Sequence, residues 1–342
     1  MKPVHIAIVL AAVVLVIGAT VLGVFTLKKF DENSSFETLG GVQVKLSMNY
    51  AAVDRVWTDE EKSEAVDRAV AILASRFASA AEARVEVRRV PGENRIEMQL
   101  TDVWDFNGKF RLLMKPAILE FKLVVDDAKA TSAIGQLDRL LEENLATFEG
   151  RYPALPAFRE ASYTPAGELF TSLTTDFGYP MRVQPENVPL LRQLLQDNDV
   201  RKSMPGGWEF LVSANDPRDP SAPRSLYLVE SEAQLHGGYI KKADVLTSAT
   251  AIGEPVIEIT MTPEGTKMLE TVTGQNINRR LAIVLDDAVL MAPVIRDKIR
   301  GKVQLSGFGS IEEAQQVCTA LSSGSLDAPL VIEDVIVVEP KK

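Results

Sequence analysis

The sequence predicts an α+β fold behind an N-terminal membrane helix, on three observations. Residues 6–27 form an uncharged run, strand and helix patterns then follow in the order strand, helix, strand, strand, helix, strand, and that order returns after residue 254. Between the two passages, residues 126–236 differ in character and read as a partly helical insertion.

As a helix, residues 6–27 would be about 33 Å long, enough to cross the hydrocarbon core of a bilayer. The run exceeds the apolar region of a cleaved signal peptide and lacks an A-x-A exit, so an uncleaved transmembrane anchor is expected. Lys2 and the amino terminus on one side balance Lys28 and Lys29 on the other, so charge alone does not fix the orientation.

After a polar tether at residues 31–37, Gly40-Gly41 opens a strand whose apolar and polar positions alternate from Val42 to Leu46. Thr58 and Glu61 form a T-x-x-E capping box, and Ala65, Val66, Ala69, Val70, Leu73 and Phe77 recur on one face, predicting a helix over residues 59–79. Residues 84–90 and 95–100 alternate on either side of Pro91-Gly92-Glu93-Asn94, which predicts a hairpin. A short helix at residues 106–114 and a strand at residues 117–125 complete a ferredoxin-like order.

In the insertion, Ile134, Leu137, Leu141, Leu145 and Phe148 fit one helical face, and residues 189–195 give a second, shorter helix. WEFLV at 208–212 and LYLVE at 226–230 are strand-like and flank a turn-rich loop at 216–223. Strands at 255–262, 281–286, 288–296, 303–306 and 328–338 and helices at 263–273 and 310–322 follow. Pro263 suits a first helical turn, where a missing N–H costs nothing.

Composition narrows the function. Lys and Arg total 37 against 47 Asp and Glu, a net charge of −10, which opposes a broad grip on nucleic acid. Cys318 is the single cysteine, and His5 and His236 are the only histidines, so disulfides, catalytic triads and Cys/His metal sites are not expected. The sequence has no phosphate loop, HExxH or nucleophile elbow, and the GFG at 307–309 falls short of a dinucleotide fingerprint. The acidic pairs Asp126-Asp127, Glu142-Glu143, Asp286-Asp287 and Glu312-Glu313 are adjacent residues that do not share a face, so they read as turns or solvated surfaces rather than acid–base pairs. No catalytic residue, cofactor or metal is assigned.

One set of motifs goes beyond pattern. Gly40-Gly41, Arg95-Ile96-Glu97-Met98-Gln99-Leu100 and Leu119-Glu120-Phe121-Lys122-Leu123 stand in the order of a Gly-Gly strand, an RI-x-x-QL strand and an LEF-[RK]-L strand. Further on, Asn276, Ile277, Arg279, Leu281, Ala282, Ile283, Leu285, Asp286, Val289, Ala292, Pro293, Val294 and Ile295 fit one continuous motif, followed by Ser306-Gly307, Glu312-Glu313-Ala314 and Ala328-Pro329-Leu330. In these residues the chain resembles the first periplasmic domain of the SecD family of protein-export subunits.

The resemblance implies a ferredoxin-like base at residues 38–125 plus 326–338, a helical and loop insertion at 126–236, and a head subdomain at 237–325. It implies a cytoplasmic N-terminus, with residues 30–342 on the periplasmic side of the inner membrane, and a role in Sec-dependent translocation by handling the emerging polypeptide. SecF, the Sec channel or a separate SecD membrane half are the implied partners, with one helix in the membrane and no nucleic acid. An envelope scaffold binding a different partner is the alternative. A base crossed twice by the chain would hinge at Val125-Asp126 and Leu326-Asp327.

Three departures bear on this reading. Asp287 stands where the family's hairpin has glycine, and Ser322-Ser323 stand where it has arginine and alanine. The later transmembrane helices of the family, with their proton-linked carboxylate and arginine, have no counterpart in these 342 residues, so no proton-conducting part is expected.

Overall fold

The structure, a computed structural model, describes residues 36–340 except 54, 81–83, 107, 163, 175–178, 217 and 247–254. The expected anchor at residues 6–27 lies outside the described residues, among which no helix is long and apolar enough to cross a membrane.

β1 (Gly41–Met48), α1 (Asp59–Ala80), β2 (Arg84–Arg89) and β3 (Arg95–Thr101) fold as their patterns predict. The capping box forms: Glu61 N–H donates to Thr58 Oγ1 at 3.2 Å and Thr58 N–H to Glu61 Oε2 at 2.8 Å. The last strand, β14 (Leu330–Val338), returns to complete an antiparallel sheet of order β14-β1-β3-β2. One face of this sheet meets α1, with Val44, Leu46, Met98, Leu100, Leu73 and Phe77 buried together. Each such side chain contributes about 1.5–3 kcal/mol.

Gly40 and Gly41 are needed where β1 opens. Gly40 has φ +72° and Gly41 φ +143°, and a Cβ on either would lie 2.3 Å from the Val338 carbonyl oxygen or 2.1 Å from that of Leu100. The first strand is thus threaded between two backbones that leave no space for a side chain.

The strand expected at residues 117–125 does form, as β4 (Leu119–Leu123), but not in this sheet. It pairs with β11 (Leu281–Leu285) and β8 (Leu235–His236), in a sheet of order β12-β11-β4-β8 in which β12 is Ala288–Met291. Residues 119–123 alternate apolar and polar as β1 does, but both faces of β4 are covered where it lies, with Lys122 buried and paired to Glu209 on the face opposite Phe121. In the base sheet, by contrast, α1 covers only one face. Leu119, Phe121 and Leu123 face one core, while Val124 joins Ala282, Val284 and Val289 in another.

The second passage of the strand and helix order likewise does not close into one sheet. β10 (Val256–Met261) pairs on one side with β13 (Lys302–Leu305) and on the other with β9 (Ile240–Leu246), β11 and β12 belong with β4, and β14 joins β1. α8 (Pro263–Gln275) and α9 (Ile311–Ser323) enclose with these strands a core that includes Phe121, Ile257, Ile259, Ile283, Leu305 and Leu321.

The insertion has its own core. α3 (Asp127–Glu143), α4 (Leu145–Arg151), α6 (Val188–Gln196) and α7 (Asn198–Ser203), with α5 (Ala154–Ser162) between α4 and α6, surround a sheet of β5 (Met181–Val183), β7 (Arg224–Glu230) and β6 (Trp208–Val212). Leu137, Leu141, Phe148, Leu191, Leu194 and Phe210 fill it.

Candidate functional site

The chain passes from the base sheet to the rest of the molecule after α2 (Gly108–Leu113) and returns after α9, so two short segments carry the whole connection. Both meet one side chain. Arg76, on α1, is fully buried, and its guanidinium donates to the carbonyl oxygens of Leu113 (2.8 Å), Lys115 (2.5 Å), Pro116 (3.2 Å) and Gly324 (2.6 Å) and to Ser323 Oγ (3.0 Å).

A planar fork of five N–H groups suits this task, because acceptors from two separate segments are met from a single point. The Leu113 carbonyl ends α2 and that of Gly324 caps α9, where helices leave acceptors unpaired and carry partial negative charge, while those of Lys115 and Pro116 belong to the outgoing segment itself. Burial pushes the Arg76 pKa down to about 10, and the charge of Asp286 works in the opposite direction. Its charge is therefore retained at neutral pH. Ser323, at the position of the family's alanine, takes part through its hydroxyl, and Leu326 N–H donates to the Pro116 carbonyl at 2.9 Å, tying the two crossings directly.

The outgoing segment is strained as well as held. Ala117 is buried with φ +59°, and its neighbour Ile118 exchanges two hydrogen bonds with Asp286: Ile118 N–H to Asp286 Oδ1 at 2.9 Å, and Asp286 N–H to the Ile118 carbonyl at 3.0 Å. Asp286 and Asp287 have φ +48° and +61°, so the turn keeps its left-handed geometry without the family's glycine. Burial raises the Asp286 pKa against the lowering pull of the Ile118 N–H and of Lys115.

The four expected hinge residues serve two different joints. Leu326 is buried beside Pro116, and Asp327 pairs with Arg68 Nε of α1 at 2.9 Å. Val125 instead donates to the Leu228 carbonyl at 2.9 Å, and Asp126 caps α3 by accepting from Lys129 N–H at 3.0 Å. That second joint is densely tied. Lys122 Nζ lies 2.6 Å from Glu209 and 3.0 Å from Glu120, and Arg279 pairs with Glu230 at 2.6 Å. Burial works against the Lys122 ammonium, yet Glu209 and Glu120 outweigh it and raise its pKa.

Sequence reasoning missed Arg76. Its signal was an arginine one position before the apolar Phe77 of α1, flanked by positions that face the core, but the pattern does not reveal which backbone it meets.

Beside the outgoing crossing, a cavity of about 520 Å³ is bounded by Lys115, by Arg192 and Arg224 of the insertion, by Asp286, and by Phe308 and Glu313. Among the described residues no group of three or more His, Cys, Asp or Glu could hold a metal ion.

Residues 211–328 match the family model described as SecDF, P1 head subdomain. This is a SecD-like chain. The SecD protein translocase subunit of Rhodothermus marinus is 30% identical over 305 residues, covering 80% of this chain and 47% of that protein. The SecDF of Thermus thermophilus is 44% identical over 99 residues, 29% of this chain and 14% of that one. A crystal structure of SecDF in a super-membrane-facing form superposes with a TM-score of 0.51 at 23% identity, over 90% of this chain and 32% of that one, a likeness of fold. The SecD-like chain thus spans about half the length of the Rhodothermus marinus protein. The family match opens within β6, so it takes in the β6–β7 pair that composition alone assigns to the insertion.

Proposed function

We propose that this SecD-like chain, anchored by residues 6–27 with the rest on the extracytoplasmic side, assists Sec-dependent protein translocation by handling the emerging polypeptide, without chemistry of its own. SecF, the Sec channel or a separate SecD membrane half are its proposed partners. The observation that carries this reading is the family match over 211–328 together with translocase relatives along most of the chain.

The base is ferredoxin-like in this proposal: strand order β14-β1-β3-β2, with α1 between β1 and β2, and α9 preceding β14 and lying against α1. The head comprises β4 to α9 with the insertion docked on it. Head and base pivot at residues 114–118 and 324–327, about the guanidinium of Arg76. The contacts favour Leu326-Asp327 as one crossing, whereas Val125-Asp126 lies where insertion and head are tied together.

Purification of the full-length chain from membranes holding an arrested export substrate tests the function. Co-purification of the arrested chain or of Sec channel subunits is expected. Recovery of neither, with a different envelope protein in stable association, would establish the scaffold reading instead.

A further inference from the structure

Two of the cations that line the cavity beside the outgoing crossing are not paired by the chain's described residues. Arg192 lies on the exposed side of α6 and Arg224 begins β7, and both line the same 520 Å³ space. Arg224 Nε is buried and has no hydrogen-bond partner, and among the described residues neither guanidinium is paired with a carboxylate. Burial, and then the like charge of Arg192, lower the Arg224 pKa. The contrast with Arg76 is informative, because there every buried donor group is met by the protein. A buried guanidinium donor left unmatched, beside a second cation, is unfavourable until an anion arrives.

The carboxylates that share the cavity each hold a backbone N–H, and neither pairs with Arg192 or Arg224. Asp286 Oδ1 accepts from Ile118 N–H, and Glu313 Oε2 accepts from Gly309 N–H at 2.8 Å. Lys115 adds a third cation, and Val188, Leu290 and Phe308 make part of the remaining wall apolar. The space is far larger than one small anion needs, since a water occupies about 30 Å³. A cationic corner within an apolar cleft matches an acidic side chain carried on an extended chain, and two arginine forks can grip a carboxylate through paired hydrogen bonds.

We propose that Arg192 and Arg224 form a carboxylate-binding site that receives acidic side chains of a polypeptide lying in this cleft. This rests on the polypeptide-handling reading above. It adds a sequence preference to it.

Fluorescence anisotropy on the full 342-residue chain, with two labelled unstructured peptides differing only in a central Asp-Glu-Asp or Asn-Gln-Asn, tests the site. The acidic peptide is expected to bind about fivefold tighter or more, the equivalent of one modest ion pair. Arg192→Gln and Arg224→Gln should each remove that preference and leave the neutral peptide unaffected. Arg192 is exposed, so its variant keeps the test decisive if the Arg224 variant folds poorly. Equal binding of the two peptides, or a preference that survives Arg192→Gln, overturns the carboxylate site while polypeptide handling stands. Absence of binding by both peptides overturns both readings. Displacement of the acidic peptide by inorganic phosphate or acetate at matching concentration would assign the arginines to a free anion and overturn the peptide occupant.

Discussion

Arg76 holds two passing segments through four backbone carbonyls and the Ser323 hydroxyl, so its replacement leaves several acceptors unpaired at once. Arg76→Leu should cost about 3 kcal/mol in urea unfolding, the penalty of orphaning more than one acceptor. Arg76→Lys should recover only part of this, because one ammonium cannot reach both crossings as the five-donor fork does. At the β11–β12 turn the expectation runs the other way. Asp287 sits at φ +61°, so Asp287→Gly should stabilise the protein by up to about 1 kcal/mol, read as a raised midpoint. The conflict at Asp287 was legible in the sequence, as a missing glycine beside a motif that wants one. Arg76 was not, because its partners lie 37 to 248 positions away and four of the five are backbone carbonyls, which any residue could supply.

Among the elements, those defined by local chemistry were legible and those defined by partner choice were not. The T-x-x-E box at Thr58 fixes the start of α1 whatever it packs against, and Thr58→Ala should lower stability by about 1 kcal/mol in thermal unfolding. The strand at β4 is legible but its sheet is not, since LEFKL alternates as VQVKL of β1 does, and the partners that claim it, β11 and Glu209, lie far along the chain. In the insertion, the end of α4 is held to the start of α7: Tyr152 OH donates to Asp197 Oδ2 at 2.7 Å, and Arg151 pairs with the same oxygen at 2.9 Å. Burial and then the Asp197 bond push the Tyr152 pKa up to about 12. A group whose folded pKa is raised lends stability that is full below its unfolded value, near 10, and lost as pH rises through about 12. Stability followed by circular dichroism should therefore fall across pH 10–12, and Tyr152→Phe should flatten that fall. An unchanged slope in the variant would mean that other groups, Tyr179 among them, carry the alkaline loss.

For the molecule as a whole, α9 is shared. Ala314, Val317 and Leu321 enter the core that holds Phe121, Ile257 and Ile283, while the helix also lies against α1 and ends on Arg76. Two units joined by a common helix and a common clamp should unfold together. Trp57 packs against the core under α1 and Trp208 against that of α3–α7, so two variants, each keeping one of these as its sole tryptophan with Trp104 also replaced, should report the same urea midpoint. Arg76→Leu should separate the two midpoints, with the base melting first. The sheet order β14-β1-β3-β2 carries a further consequence, for the time when the protein is being made. β1 emerges early, but its partner β14 follows after roughly 290 residues, which a ribosome adds in about 15–60 s. For that interval one edge of β1 is unpaired and the hydrophobic surface awaiting Leu326 and Ala328 is uncovered, so the nascent chain depends on a chaperone or on speed to avoid sticking to its neighbours.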